Sequence, residues 1–280
     1  MRIDAHHHLW DPRDRVYPWM AGLDPLRRPY GIDDLRSATS AADVNRTVLV
    51  QTVSSLEETQ EFLAVAADSG GLIAGVVGWV DLADPAVGDS LAGLTGPLVG
   101  IRHQVQDEPD REWLARPAVM RGLDHLGTAG LAYDLLVRHD QLPVARSVAQ
   151  RLPEVRFVLD HAGGPPIAAG GLEPWAGEIR ALAALPNVSC KLSGLVTVAS
   201  WTSWSSTGIA PYASHVFDCF GPERVMFGSD WPVCELAASY GEVVALAETL
   251  TAELSTSERD AVFAGTARHV YALPKPEVDE

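Results

Sequence analysis

The sequence predicts an α/β protein: a single (β/α)8 TIM barrel over residues 1–280, slightly elaborated by loops and a C-terminal helix. Three observations predict it. Eight apolar, β-branched runs recur along the chain, separated by helical or turn stretches. Strands that alternate with helices must pair in parallel, because each return crosses a face of the sheet. Eight is also the number at which such a sheet closes and leaves no edge. Finally, no G-x-G-x-x-G follows the first run and no Walker loop occurs, so the open doubly wound sheet lacks its usual ligand signal.

The elements follow in order. The first run is 2–8, with a helix expected over 33–44. The second, 47–53, leads into SLEETQEFLAVAADSGG, where Ser54 or Ser55 caps a helix and Gly70–Gly71 stops it. The third run, 72–82, precedes a short helix near 84–85. The fourth is 98–105, followed by a helix over 117–126. The fifth, 130–137, and sixth, 156–162, are followed by helices over 140–152 and 173–184. The seventh, 188–195, meets a Trp-rich loop and a helix over 211–220. The eighth is 225–232, and helices over 241–254 and 257–271 close the chain ahead of a tail, KPEVDE.

Composition bounds the function. At 280 residues, 47% hydrophobic and 21% charged, the chain can bury a large core and is neither disordered nor fibrous. Acidic residues outnumber basic ones 37 to 21, a net charge of −16, which argues against nucleic acid or an anionic membrane as partner. No apolar run approaches the roughly 18 residues of a membrane span. The opening MRIDAHHHLWD has no apolar core of a secretory signal. Three cysteines, Cys190, Cys219 and Cys234, without C-x-x-C spacing, argue against a disulfide framework, so a cytoplasmic protein is expected.

In such a barrel the chemistry gathers at the carboxyl ends of the strands. The first run ends His6-His7-His8. Alternation puts His6 and His8 on one face, able to converge on one metal or one substrate oxygen. The histidines lie inside an apolar strand, so a tag remnant does not account for them. Asp230 ends the eighth run, with Gly228 leaving room on the same face. It can bind metal or take a proton from water, or simply cap a turn. In the sixth run, alternation places His161 with Leu159 and Phe157, and Asp160 opposite with Val158. His161 is a candidate ligand, acid–base or carbonyl donor, or a core histidine.

Lys191 alternates with Cys190 and Leu192 and is expected inside the barrel, where a cation is costly unless paired or set against an anion. Arg102 brings a forked cation to the mouth, for an oxyanion or for an interior acid. Tyr133 at the fifth strand, Gln51 at the second and Trp79 at the third are candidate substrate contacts. Trp201, Trp204 and Trp231 are candidate aromatic lining. Together these residues place His, His, Asp, His, Lys and Arg at the ends of five strands.

The segments IDAHHHLWDP, VGIRHQVQ, LAYDLLV, FVLDHAGGP, VSCKLSGL, VMFGSDWPV and FAGTARHVYAL carry a resemblance. In these the chain resembles the amidohydrolase superfamily, in the branch of lactone hydrolases. The resemblance spans essentially the whole chain, and HxH with GSDWP is its most specific part. It implies a barrel that hydrolyses a cyclic ester, with His6 and His8, His161 and Asp230 carried over by motif. Arg102, Tyr133 and Lys191 fall where relatives contact substrate. The fourth strand offers no lysine to bridge two metals and the fifth ends in Tyr133 and Asp134, so a two-metal centre is not expected. The branch includes a single-zinc type and members that act without metal. One Zn2+ or another divalent ion on His6, His8 and Asp230, and metal-free catalysis, both stay open.

The expected reaction is ring opening of a small lactone, of sugar-acid type, by water. Asp230 would act as base, and Lys191, Arg102, His161 or zinc would stabilise the oxyanion. The alternative on the same barrel is zinc-dependent decarboxylation of an aromatic acid. The expected partner is the small lactone substrate, with a homodimer left open. Specificity is expected in loops 11–30, 107–116 and 199–209.

Overall fold

The computed structural model describes residues 1–274. Eight parallel strands follow one another around the sheet in chain order. They are β1 (Ile3–His7), β2 (Arg46–Val50), β3 (Ile73–Gly78), β4 (Leu98–His103), β5 (Ala132–Leu135), β6 (Arg156–Leu159), β7 (Val188–Leu192) and β8 (Val225–Phe227). Helices α1 (Ile32–Ala41), α2 (Leu56–Asp68), α3 (Val87–Ala92), α4 (Pro117–Thr128), α5 (Leu142–Arg151), α6 (Trp175–Ala183) and α7 (Ser206–Phe220) fill the crossovers. Helix α8 (Tyr240–Leu250) follows β8. The strands are shorter than the apolar runs, because each run continues into a loop over the barrel mouth.

The ring closes at one end only. Asp230 N–H donates to the His6 carbonyl at 2.8 Å, and His8 N–H donates to the Trp231 carbonyl at 2.7 Å. Two of the helix starts show the side-chain caps plainly: Ser55 accepts from Glu58 N–H on α2, and Ser239 and Glu242 form a capping box on α8. Helix α7 begins five residues before the expected Pro211, because Ser205 caps Gly208 and the proline is accommodated inside the helix. The expected closing helix is three pieces: α9 (Thr256–Asp260), a π turn (Ala261–Gly265) and α10 (Thr266–Val270).

Strand alternation creates two cores. Leu49, Ile101, Tyr133, Phe157, Leu159, Cys190 and Phe227 face the helices. Ile3, Ala5, Val48, Val50, Ala132, Val158 and Met226 face the barrel axis, where Val270, Tyr271 and Leu273 close the floor. One irregularity decides the site. Between Asp4 and His7, β1 carries one residue more than the matching stretch of β2, Thr47 to Leu49. Strict alternation from Ile3 and Ala5 would send His6 and His8 outward. The bulge resets the phase and turns them inward.

Candidate active site

His6, His8, His161 and Asp230 meet at the mouth. Asp230 Oδ1 stands 3.6 Å from His8 Nε2, 3.8 Å from His6 Nε2 and 4.0 Å from His161 Nε2. His6 Nε2 and His8 Nε2 are 3.2 Å apart. His8 Nδ1 lies 2.7 Å from the Val50 carbonyl, which can only accept, so Nε2 presents a lone pair. His6 Nε2 faces Arg102 Nη1 at 3.3 Å, while its Nδ1 lies 3.3 Å from Asp160 Oδ1 and 3.1 Å from Lys191 Nζ. If Asp160 takes the Nδ1 proton, two lone pairs confront each other. If Lys191 donates to Nδ1, the proton sits on Nε2 and bonds to His8. In the first case a cation between the two nitrogens would relieve the repulsion; in the second the N–H···N hydrogen bond does.

Ligand atoms about 2.0–2.1 Å from a tetrahedral zinc stand about 3.3–3.4 Å apart, close to the His6–His8 spacing. His6, His161 and Asp230 each offer an atom within 4.8 Å of the others'. The residues therefore fit a divalent cation. Burial, then Arg102, pushes His8 down to about 3, and burial with Lys191 pushes His6 well below the usual histidine range. Both imidazoles are thus neutral near pH 7, as ligands must be. Burial raises the Asp230 carboxyl and lowers His161.

Under this group runs a layer of paired charge. Arg102 donates from Nη1 to Asp160 Oδ2 at 3.1 Å, and from Nε and Nη2 to Gln51 Oε1 at 3.1 and 2.9 Å. Lys191 Nζ lies between Asp134 Oδ2 and Asp160 Oδ1, the latter at 3.0 Å. Tyr271 OH donates to Asp134 at 2.8 Å. Burial alone would raise Asp160, but Lys191, His6 and Arg102 outweigh it and hold its carboxyl well below the usual range.

The local backbone is shaped for convergence. His161 has φ +52° and Asp230 φ +58°, a region L-residues rarely occupy. Gly194, at φ +65°, passes so close that a Cβ would lie 2.6 Å from His161 Nδ1. A Cβ on Gly228 would come within 2.8 Å of His6 Cβ. These two glycines leave the room that the imidazoles need.

Several expected contacts are not made. Tyr133 faces the helices and packs edge-on against Phe157, because Asp134 takes the inward phase of β5. Trp79 donates to His103 Nδ1 at 2.9 Å, outside the cavity. Trp231 is buried, donating to Glu235 and packing on Tyr30. Gln51 lies behind Arg102 and holds it. Trp204 donates to the Ala237 carbonyl, and Trp201 is half exposed. Lys191 is buried beneath the cavity, outside its lining, and pairs with Asp160, which does line it.

The sixth strand departs from its expected phase. It ends at Leu159, so Asp160 shares the inward face of Val158, and the left-handed turn at His161 brings that ring in as well. Asp160 and Asp134 carried a signal in the same alternation that located Lys191. Trp19, Thr52, Gln104 and Gln106 also line the cavity, with Val137 and Val198. They come from loops, where no period marks them. The cavity has a volume of about 230 Å³.

A parallel barrel with three imidazoles and a carboxylate converging at its mouth has the layout of a barrel enzyme's active site. The chain matches the amidohydrolase family over residues 3–273. It is 42% identical to an L-fucono-1,5-lactonase of Burkholderia multivorans, covering 99% of this chain and 97% of that protein. It is 37% identical to an L-fucono-1,5-lactonase of Burkholderia ambifaria, covering 100% and 98%. The crystal structure of an amidohydrolase from Burkholderia multivorans with bound zinc superposes with a TM-score of 0.94 at 42% identity, covering 98% of this chain and all of that one. The chain belongs to the amidohydrolase family.

Proposed function

We propose that this protein opens the ring of a small sugar-acid lactone by adding water across the ester. The observation that carries the reading is Asp230 Oδ1 within 4.0 Å of three neutral imidazole nitrogens beside a cavity at the barrel mouth. The full-length similarity to two L-fucono-1,5-lactonases supports the choice of a lactone over an aromatic acid.

Asp230, raised by burial, takes the proton of a water aimed at the ester carbonyl. The water oxygen bonds to the carbonyl carbon and the ring C–O bond breaks. The departing alkoxide takes back the proton that Asp230 accepted, leaving a hydroxy acid that ionises. His161 Nε2 and the cavity-facing Arg102 supply positive potential where the carbonyl oxygen gains charge. A zinc ion held by His6, His8 and Asp230 would supply Lewis-acid polarisation at that point. Lys191 acts as a positioning residue, through His6 and Asp160.

The test is Asp230→Asn against a panel of sugar lactones in a pH-stat. Loss of about 10²-fold or more, with unchanged thermal unfolding, is expected. Near-normal turnover would remove Asp230 from this role. Release of CO2 from aromatic acids without acid release from lactones would replace hydrolysis by decarboxylation.

A further inference from the structure

The cavity lining is chemically mixed. Trp19, Leu136, Val137, Val198 and Val233 supply apolar surface. The turn after β4 adds two amides, Gln104 and Gln106, the latter beside Leu136. Gln104 Nε2 donates to the Thr52 carbonyl at 3.2 Å, leaving its Oε1 unspent among the described residues. The Gln106 amide makes no hydrogen bond to another described residue. Its backbone is nevertheless fixed: N–H donates to the Leu136 carbonyl at 3.1 Å and the carbonyl accepts from Arg138.

The turn between them is equally rigid. Val105 is buried, and its carbonyl accepts from Gln141 Nε2 at 3.0 Å. At the foot of the turn, His103 stacks on Trp113 with ring centroids 4.0 Å apart and planes at 7°. It accepts from Trp79 and bonds Glu108 at 2.7 Å. A backbone this constrained presents side-chain amides in fixed places at little entropic cost on binding.

We propose that Gln104 and Gln106 are specificity-determining residues that read adjacent ring hydroxyls of a polyhydroxylated lactone. An amide offers a donor and an acceptor side by side, which matches a hydroxyl pair, whereas the apolar surface takes the ring's carbon face. The inference rests on the lactonase reading of the same site. It adds that selection is made by hydroxyl pattern, because a site built to hydrogen-bond a hydroxyl rejects a ligand without it.

The experiment compares kcat/KM for a polyhydroxylated six-membered sugar lactone with that for unsubstituted δ-valerolactone, in wild type, Gln106→Ala and Gln104→Ala/Gln106→Ala. The expected result is that the ratio favours the hydroxylated lactone in wild type. It should fall at least about tenfold in Gln106→Ala and further in the double variant, mainly through KM, with thermal unfolding unchanged. A Gln106→Asn variant is expected to recover part of the ratio. A ratio that stays constant across the variants overturns the proposal while leaving lactonase activity standing. Turnover of neither lactone by wild type overturns both.

Discussion

The floor and the mouth of this barrel are built from the same strands and obey opposite rules. At the floor, Ile3, Ala5, Val48 and Met226 meet Tyr271 and Leu273 in an apolar plug. A few residues further along, the inward positions are Arg102, Asp134, Asp160 and Lys191, all buried and ionisable, beneath the imidazoles. Burying apolar surface stabilises the first region by roughly 25 cal/mol per Å². Burying charge is tolerated in the second only because each cation has two or more partners. The floor contributes stability and the mouth spends it on placement.

The largest break in that contrast is Lys191→Met. It leaves Asp134 and Asp160 without their shared cation, and breaking such a pair costs about 3–5 kcal/mol. Chemical denaturation should show this loss alongside a fall in kcat, since His6 loses its neighbour at Nδ1. Metal binding works in the other direction. Zinc at about 100 times its Kd should raise unfolding free energy by about 2.7 kcal/mol, and His8→Ala should abolish most of that gain in thermal unfolding.

Two smaller changes separate the regions cleanly. Val48→Ala at the floor should cost about 2 kcal/mol in stability while kcat/KM stays within about twofold. Gly194→Ala at the rim should cost about 1–2 kcal/mol from its positive φ. Because its new methyl would meet His161, kcat/KM should nonetheless fall about tenfold or more. If Val48→Ala damages catalysis as much as Gly194→Ala does, the two regions are not separable in this way.

The architecture was legible because a parallel barrel repeats: apolar run, helix, apolar run, eight times over. Phase was legible wherever a strand stayed regular. Lys191 between Cys190 and Leu192, and Arg102 between Ile101 and His103, point inward as their spacing requires. It failed where the backbone left the strand. His161 turns in by a left-handed residue and so joins Asp160 at the site, although strict alternation puts the two on opposite faces. At Tyr133 the error was one of anchoring: without a partner to fix the inward face, tyrosine and the adjacent Asp134 could not be told apart. Trp19 and Gln106 lie on loops, where position follows from tertiary contacts rather than from any repeat.

The seam of the barrel has a further consequence for how the protein is made. The two backbone bonds that join β1 to the β8 loop belong to His6, His8, Asp230 and Trp231. Since synthesis runs from the N-terminus, the first strand lacks its bonds to the β8 loop until residue 231 has left the ribosome. The seam, and with it the meeting of His6 and His8 with Asp230, therefore forms only after all eight strands have been synthesised.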